Sequence, residues 1–342
     1  MLSVTPHASL EEVTGRTMNQ TIRCRISAEA FAIRGELNRV MTLRHGGSAD
    51  ITLRYELAGR TGAPLLLVAG GISAGRHVLA SGEFPETGWW QAQAATLANY
   101  RVLAIDWVGA DGAIDLPIDP ADQAETIVRL LDELSEERAD AFIGASYGAM
   151  VGMHLAAHHP QRLGRLLAIS AAEATHPFSS ACRALQRQAI SLGEWQGNPE
   201  AGVALARAMA ILTYRTPQEF AERFGAPPAL RSGRLQVAAE PYLDAHGERH
   251  CRRMSAIAYR RLSESIDLHR IDPADIRVPL TLVAVDQDGL VPAPDIEALA
   301  ARVPAAAFRL IHSRYGHDAF LKEEAQVAAI IADFLKSVEL SR

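Results

Sequence analysis

A serine between two glycines, at the point where an apolar strand passes into a helix, is the feature that most restricts the fold of this chain. The nearly all apolar residues 139–144 lead into Gly144-Ala145-Ser146-Tyr147-Gly148, and residues 150–157 continue with a helical pattern. Glycines two residues before and after the serine let neighbouring backbone segments approach where a Cβ atom would clash. A strand, turn and helix in this order hold a serine hydroxyl at the edge of a sheet, exposed for attack. Ser146 is therefore a candidate nucleophile.

Short apolar runs alternate with helical segments along most of the remaining chain. Strands buried on both faces are predicted at residues 65–69, 100–106, 139–144, 163–170, 278–285 and 307–311. Two strands of alternating polarity precede them, at 39–45 and 51–57, and Gly46-Gly47-Ser48 between them suits a hairpin. Helices are predicted at residues 91–98, 120–134 and 322–336. This order predicts an α/β protein with a mostly parallel, doubly wound sheet.

The alternation of strand and helix stops between about residues 179 and 272. This stretch has helical character, is rich in alanine and arginine, and contains no convincing buried strand. It therefore predicts a helical lid inserted between two core strands. We expect an α/β core at 36–178 and 273–342, a lid at 179–272, and a weakly patterned N-terminal extension at 1–35.

Composition limits the possible partners and location. The chain has 342 residues, 48% of them hydrophobic, which is enough for one large core with a subdomain. A net charge of −6 without a basic cluster argues against a nucleic-acid partner. Three widely spaced cysteines argue for a reducing compartment and against a disulfide framework or a structural zinc site. Because neither a secretory signal nor a membrane-spanning apolar stretch is visible, we expect a cytoplasmic protein with no membrane partner.

A serine hydroxyl becomes a strong nucleophile only when a base accepts its proton and a carboxylate orients that base. His317 is the candidate base, because it lies in a glycine-containing loop between the last predicted strand and the final helix. Asp286 and Asp288 both follow the strand at 278–285, at the sheet edge where ligands bind. We prefer Asp288, which lies further into the loop and can reach the histidine more freely, whereas Asp286 would cap the loop.

An acyl-transfer site also needs two backbone N–H groups directed at the developing oxyanion. Tyr147, the residue after the candidate nucleophile, is expected to supply one of them. The other should come from the glycine-containing loop at residues 69–75, from either Gly71 or Ile72. These residues predict acyl transfer through an acyl-serine, with water or another nucleophile as the acceptor.

Four segments together resemble the homoserine O-acyltransferases of the α/β-hydrolase superfamily: the turn at Ser146 and residues 88–90, 205–215 and 315–321. Within that family, residues 70–77 and 263–269 resemble the corresponding segments of a branch described as succinyl-transferring. The resemblance extends from about Val40 to the C-terminus and includes the lid. It implies an α/β-hydrolase fold, acyl-CoA and L-homoserine as substrates, no permanently bound cofactor, and a homodimer built through the lids. Coenzyme A is expected across the lid mouth, although the spacing assigns no basic residues to its phosphates.

The resemblance also implies roles for individual residues. It assigns Ser146, Asp288 and His317 as nucleophile, acid and base of a catalytic triad. Asp318 would hold the amino group of homoserine and Arg207 its carboxylate. Tyr214, close to two helical turns after Arg207 and near the same face, would hydrogen-bond the acceptor or the acyl group. A carboxylate suits an ammonium group, and the planar guanidinium fork suits a carboxylate.

Three positions depart from the family pattern. Many members have Gly-Gly-Ser-Met-Gly-Gly at the turn, where this chain has Tyr147 and Ala149, and we expect the Tyr147 side chain to narrow the acyl pocket. Leu290 stands where many succinyl-specific members carry an arginine after the triad aspartate. A succinyl carboxylate would then need another cation, for which Arg76, Arg183 and Arg187 are candidates.

The sequence therefore predicts an acyl-CoA-dependent L-homoserine O-acyltransferase of methionine biosynthesis, with a ping-pong mechanism and succinyl-CoA as the favoured donor. One alternative is a homoserine or serine O-acetyltransferase that uses acetyl-CoA. A second alternative is an esterase or thioesterase, whose triad would look the same. Asp318 and Arg207 discriminate between these classes, because a hydrolase does not need to bind both charged groups of an amino acid.

Overall fold

The computed structural model describes residues 30–339, which form one large sheet covered by helices. The strands are β1 (Ala30–Thr42), β2 (Ser48–Arg60), β3 (Leu65–Ala69), β4 (Arg101–Ile105), β5 (Ala141–Ala145), β6 (Leu166–Ile169), β7 (Ala229–Arg231), β8 (Arg234–Gln236), β9 (Leu280–Val285) and β10 (Ala307–Ile311). Eight of them form the sheet in the order β1-β2-β4-β3-β5-β6-β9-β10. The pairs β1–β2 and β2–β4 are antiparallel, and all other neighbours are parallel. This confirms the predicted mostly parallel α/β sheet with a leading hairpin.

Helices pack on both faces of the sheet and also form a separate insertion. They are α1 (Ala94–Leu97), α2 (Pro120–Glu133), α3 (Tyr147–His158), α4 (Pro177–Trp195), α5 (Pro199–Tyr214), α6 (Pro217–Phe224), α7 (Glu240–Cys251), α8 (Ala256–Leu268), α9 (Ala293–Arg302), α10 (Ala319–Lys322) and α11 (Glu324–Glu339). On one face, α2, α3 and α9 bury apolar side chains against the sheet, and on the other face α1 and α11 do the same. The alternation within β3 shows why both faces are apolar, since Leu65 and Leu67 enter the first cluster while Leu66 and Val68 enter the second.

The first strand is longer than the sequence suggested. Residues 30–35, which we expected to belong to an N-terminal extension, pair with β2 from Ala30 opposite Arg60 to Gly35 opposite Tyr55. The strand therefore begins before residue 36, because the pairing continues past the stretch of clear alternating polarity. Residues 1–29 lie outside the described part of the chain.

The helices α4 to α8 lie between β6 and β9, where the sequence lost its alternation of strand and helix. We call this segment, residues 177–268, the helical insertion. Its strands β7 and β8 form a small, largely exposed hairpin, so the segment contributes nothing to the central sheet. An isolated bridge between Ala174 and Arg270 joins the two chain segments at its base. Within residues 30–339, no helix is both long enough and apolar enough to span a bilayer.

Candidate active site

Ser146 occupies a sharp turn between β5 and α3, with φ of 55° and ψ of −120°. Its N–H group donates a hydrogen bond of 2.8 Å to the carbonyl of Ile169 in β6, which fixes the turn on the neighbouring strand. A Cβ atom on Gly148 would lie 2.3 Å from the carbonyl oxygen of Ala69, and one on Gly144 would lie 2.6 Å from the backbone of α3. Both glycines are therefore required by close backbone packing, and the turn lifts the serine hydroxyl off the sheet edge.

The structure brings Ser146, His317 and Asp288 together from three loops at the carboxyl ends of parallel strands. The Oγ atom of Ser146 lies 2.8 Å from Nε2 of His317, and Nδ1 of His317 lies 2.7 Å from Oδ2 of Asp288. The other oxygen, Oδ1, accepts backbone N–H groups of Leu290 and Val291 at 2.8 and 3.0 Å. The carboxylate is thus held in one orientation, in which it can fix the imidazole tautomer and leave Nε2 free to accept the serine proton.

Burial and the adjacent Asp288 carboxylate act on the pKa of His317 in opposite directions. Burial lowers this pKa, but the adjacent Asp288 carboxylate raises it by charge and by hydrogen bonding, and the net result lies above the usual value of 6.5. Asp288 therefore stabilises the protonated form of the His317 imidazole.

The second carboxylate after β9 has a different role. Asp286 accepts the backbone N–H of Ser313 at 3.0 Å through Oδ1, and its Oδ2 lies 3.0 Å from Nδ1 of His312. These contacts connect the loop after β9 to the loop after β10, and Asp286 makes no contact with His317 among the described residues.

Two backbone segments lie beside Ser146 where an oxyanion would form. Tyr147 is the first residue of α3, and the first N–H groups of a helix have no acceptor within it. The carbonyl of Gly71 accepts the Trp107 Nε1 group at 3.0 Å and the Ala74 N–H at 2.9 Å. These bonds fix the peptide unit between Gly71 and Ile72, so the Ile72 N–H points away from Trp107 in a defined direction.

The Tyr147 side chain does not narrow the active-site cavity, so that expectation is wrong. Its hydroxyl lies 2.7 Å from Oγ of Ser265 in α8, and its ring packs edge-on against Trp107 with centroids 4.9 Å apart. The side chain is fully buried, and burial raises the pKa of the phenol, which stays protonated. Its partners lie far away in the sequence, so no local pattern indicates that Tyr147 joins the turn at Ser146 to the helical insertion.

A cavity of about 230 Å³ lies above the triad, between the core and the helical insertion. We call it the acyl cavity. The residues from the sequence analysis that line it are Gly71, Ile72, Ser146, Arg183, Arg207, Tyr214, Leu290, His317 and Asp318. Loops of the core and helices of the insertion thus contribute side chains to the same enclosed space.

One wall of this cavity carries the three residues expected to bind the acceptor. The Tyr214 ring stacks near the His317 ring with centroids 5.9 Å apart, and the Arg207 guanidinium lies 5.2 Å from the Tyr214 ring centre. Among the residues that the structure describes, Arg207 makes no ion pair or hydrogen bond. Asp318 lies with Oδ2 3.0 Å from Nε of Arg215. Burial raises the pKa of Asp318, and the positive charge of Arg215 offsets this only in part.

Sequence reasoning gave no role to Arg215, which sits directly after α5. Its contact with Asp318 is an ion pair without hydrogen-bond alignment. Its Nη1 atom lies 3.1 Å from Oε1 of Glu219. The one available signal was its position directly after Tyr214 in the stretch that resembles the family.

The three arginines considered for a donor carboxylate differ in position. Two guanidinium groups share the Asp267 carboxylate. One of its oxygens lies 2.8 Å from Nε of Arg183, and the other lies 2.8 Å from Nη1 of Arg187. Arg183, which is 8% exposed, lines the acyl cavity, whereas Arg187 does not. Arg76 pairs with Asp106 at 2.9 Å, outside the acyl cavity. The Arg183 cluster therefore carries one positive charge in excess at the cavity wall.

Residues 64–324 match the family model described as alpha/beta hydrolase fold. A homoserine O-succinyltransferase of Xanthomonas campestris pv. campestris is 50% identical, over 90% of this chain and 85% of the relative. A homoserine O-acetyltransferase of Thermus thermophilus is 38% identical, over 74% of this chain and 73% of the relative.

Solved structures agree on the fold. A homoserine O-acetyltransferase from Bacillus anthracis superposes with a TM-score of 0.80 at 17% identity, covering 90% of this chain and 97% of its own. Esterase E22 superposes with a TM-score of 0.79 at 16% identity, covering 90% of this chain and 100% of its own. These two likenesses concern the fold, while the sequence relatives identify the family. The chain therefore belongs to the homoserine O-acyltransferase family of the α/β-hydrolase fold.

Proposed function

We propose that this protein transfers an acyl group from acyl-CoA to the hydroxyl group of L-homoserine through an acyl-enzyme on Ser146. The observation that carries the proposal is the continuous hydrogen-bonded chain from Ser146 through His317 to Asp288, opening into a cavity that also holds Arg207 and Asp318. The names of the two sequence relatives support the acceptor and the type of group transferred.

The first half-reaction forms the acyl-enzyme. Nε2 of His317 accepts the proton of Ser146 while Oγ attacks the thioester carbonyl carbon. The N–H groups of Tyr147 and Ile72 stabilise the resulting oxyanion. We choose Ile72 over Gly71 because the Gly70 carbonyl accepts the Gly148 N–H at 2.9 Å, which directs the Gly71 N–H away from the turn at Ser146. The carbon–sulfur bond then breaks, and the His317 imidazolium returns the proton to the leaving thiolate of coenzyme A.

The second half-reaction passes the acyl group to the acceptor. His317 takes the proton of the homoserine hydroxyl, whose oxygen attacks the ester carbonyl, and the proton then returns to Ser146 as its bond to the acyl group breaks. Arg207, which lacks a carboxylate partner among the described residues, binds the homoserine carboxylate. Asp318 binds the ammonium group, and Tyr214, stacked on His317, positions the acceptor between them. The helical insertion acts as a lid that excludes water, which would otherwise hydrolyse the acyl-enzyme.

Succinyl-CoA is the donor that we favour. The relative with 50% identity is named for succinyl transfer, and the excess positive charge at Arg183 suits the free carboxylate of a succinyl group. Acetyl-CoA with homoserine or serine is the alternative, supported by the name of the relative with 38% identity. An esterase is the second alternative, since esterase E22 shares the fold.

Thiol release from succinyl-CoA and acetyl-CoA, each with and without L-homoserine or L-serine, tests these alternatives. We expect sustained release only with L-homoserine, and faster release from succinyl-CoA. A rate of thiol release that does not depend on the amino acid would identify a thioesterase instead. Turnover retained by Ser146→Ala would refute the acyl-serine mechanism.

We also propose that the protein is a cytoplasmic homodimer joined through the insertion. Its helices α4 and α5 expose large apolar side chains at Phe178, Leu185, Leu192, Trp195, Leu205 and Leu212. Residues 178, 185 and 192 recur at heptad spacing along α4, as do 205 and 212 along α5, so they form stripes that a second copy could cover. Free thiols at Cys182 and Cys251 suit a reducing compartment.

A further inference from the structure

A second and larger cavity, of about 600 Å³, lies beside the acyl cavity. Helix α7 and the residues after it form one wall, and the core loops after β3 and β4 form the other. Ile72, Ser73, Ala74 and Arg207 line both cavities, so the two spaces share a wall directly next to the proposed oxyanion site. The volume falls within the usual range for small-molecule sites in proteins. We call this space the outer cavity.

The wall of the outer cavity formed by the insertion carries uncompensated positive charge. Arg249 near the end of α7 and Arg253 after it line the cavity, and neither has an ion pair within residues 30–339. On the core wall, Asp106 pairs with Arg76 at 2.9 Å and Asp111 lies 3.4 Å from Arg54. Asp50 is the remaining carboxylate of the lining. The free guanidinium groups thus gather on the insertion side, across from carboxylates most of which are paired.

Two histidines of α7 experience this positive charge. Burial and then the charges of Arg207 and Arg253 lower the pKa of His250 to about 3. Burial, followed by the charges of Arg249, Arg207 and other arginines, lowers the pKa of His246 to about 4. Both imidazoles are therefore neutral near pH 7, and the positive charge on this wall comes from the arginines alone.

We propose that the outer cavity binds the phosphate groups of the coenzyme A donor, with Arg249 and Arg253 as their cationic contacts. This proposal rests on the proposed function, because an acyl-CoA thioester at Ser146 must extend its remaining length away from the triad. The outer cavity shares the Ile72–Ala74 wall with the acyl cavity and offers free guanidinium groups, which pair with phosphate oxygens in a bidentate geometry. The pantetheine arm would pass along that shared wall.

Calorimetric titration of the full chain with coenzyme A and with adenosine 3′,5′-bisphosphate tests this site without requiring turnover. The test variant is the double substitution Arg249→Ala with Arg253→Ala. We expect its Kd for coenzyme A to rise about ten-fold, the size of effect that losing one strong charge-assisted contact produces. Arg252→Ala is the matched control, because Arg252 is an exposed neighbour on the same segment and does not line the cavity. Its Kd should remain within about two-fold of wild type.

A kinetic comparison gives a second readout. Acyl-pantetheine has the same thioester as acyl-CoA but lacks every phosphate group. The double variant should therefore lose more kcat/KM with acyl-CoA than with acyl-pantetheine, whereas a merely structural effect would lower both equally.

The outcomes separate the two proposals. Equal affinity of wild type and double variant for coenzyme A would overturn the outer-cavity assignment and leave the transferase proposal standing. Failure of wild type to bind coenzyme A, together with no thiol release from any acyl-CoA, would overturn both. A Kd change in Arg252→Ala as large as in the double variant would also overturn the assignment, because it would indicate general surface charge.

Discussion

At the scale of single residues, the site depends on groups held in fixed orientations by neighbours that do not react. Two backbone N–H groups hold the Asp288 carboxylate, which in turn orients His317, and the Ile169 carbonyl holds the strained turn at Ser146. A backbone with positive φ at a non-glycine residue costs about 1–3 kcal/mol, which the surrounding packing must supply. The proposed catalytic atoms are therefore already aligned before a substrate binds, which reduces the cost of reaching the transition state.

The pKa of His317 leads to a prediction about pH dependence. His317 must be neutral to accept the serine proton, so kcat/KM for thiol release should fall as the pH drops through its pKa, above the usual 6.5. In Asp288→Asn the carboxylate that raises this pKa is lost while burial remains, so the acidic limb should move to lower pH. Turnover should also fall by about three to four orders of magnitude.

Asp286→Asn is the control for that pH profile. Asp286 follows the same strand but caps the loop through Ser313 and His312. The acidic limb of this variant should coincide with that of wild type. A shift equal to that of Asp288→Asn would contradict the assignment of Asp288 as the triad carboxylate.

Arg183 leads to a prediction about donor choice. In Arg183→Met the pair of arginines at Asp267 loses its excess positive charge, while Asp267 keeps Arg187 as a partner, so no unpaired carboxylate is left behind. The ratio of kcat/KM for succinyl-CoA to that for acetyl-CoA should fall by about ten-fold or more, because one charge-assisted pair is lost for succinyl-CoA alone. Arg76→Met, which removes an arginine outside the acyl cavity, should leave the ratio unchanged. A loss of the same size with both donors would show that Arg183 acts only structurally.

At the scale of secondary-structure elements, α3 connects the turn at Ser146 to a group of three histidines, two of which are buried. His154 in α3 is 2% exposed, and its ring lies 5.4 Å from that of His158 and 5.2 Å from that of His269 after α8. Neither ring nitrogen of His154 has a partner among the described residues. Burial, with smaller contributions from the neighbouring histidines, lowers the pKa of His154 to about 2. The packing around α3 therefore favours the neutral form of the His154 ring.

His154 predicts how the fold responds to acid. Its pKa is near 6.5 in the unfolded chain and is depressed on folding, so the unfolded state binds more protons between those values. Stability should thus fall as the pH drops below about 6.5, and this one residue should cost about 2 kcal/mol at pH 5. His154→Phe should lose less unfolding free energy between pH 7.5 and pH 5 in urea titrations than wild type does. The partly exposed His158 serves as the control, and His158→Phe should behave more like wild type. Equal losses in wild type and His154→Phe would refute this account.

Strands could be predicted from the sequence where several consecutive residues are buried together. The strands at 65–69 and 278–285 are apolar because both of their faces are covered, and that pattern is visible in the sequence. The contacts within the insertion were not predictable. The pairing of Asp318 with Arg215, and of Tyr147 with Ser265, depends on where separate helices come to lie. Local periodicity predicts which face of an element is buried, but it contains no information on which distant side chain will meet it.

At the scale of the whole molecule, the helical insertion contributes to three proposed tasks at once. Its α4, α5 and α8 side chains close the acyl cavity, and its α7 forms one wall of the outer cavity. The outward sides of α4 and α5 remain apolar and uncovered. A dimer through these helices would hold the insertion in place over the core, because each copy would bury the exposed face of the other. Oligomerisation and substrate binding would then depend on the same helices.

That arrangement predicts that charges on the outer face of α4 will separate the dimer. Leu185 and Leu192 are each 53% exposed in the single chain. Burying a leucine side chain fully stabilises an interface by about 1.5–3 kcal/mol. Replacing both with lysine should therefore raise the dimer dissociation constant by at least about 100-fold. Light scattering coupled to size-exclusion chromatography should give twice the chain mass of 37.0 kDa for wild type and the single mass for the double variant. Leu230→Lys is the control, because Leu230 is 76% exposed but lies on the β7–β8 hairpin, away from the two stripes. A wild-type protein of single mass, or a double variant that stays dimeric, would exclude the α4–α5 face as the interface.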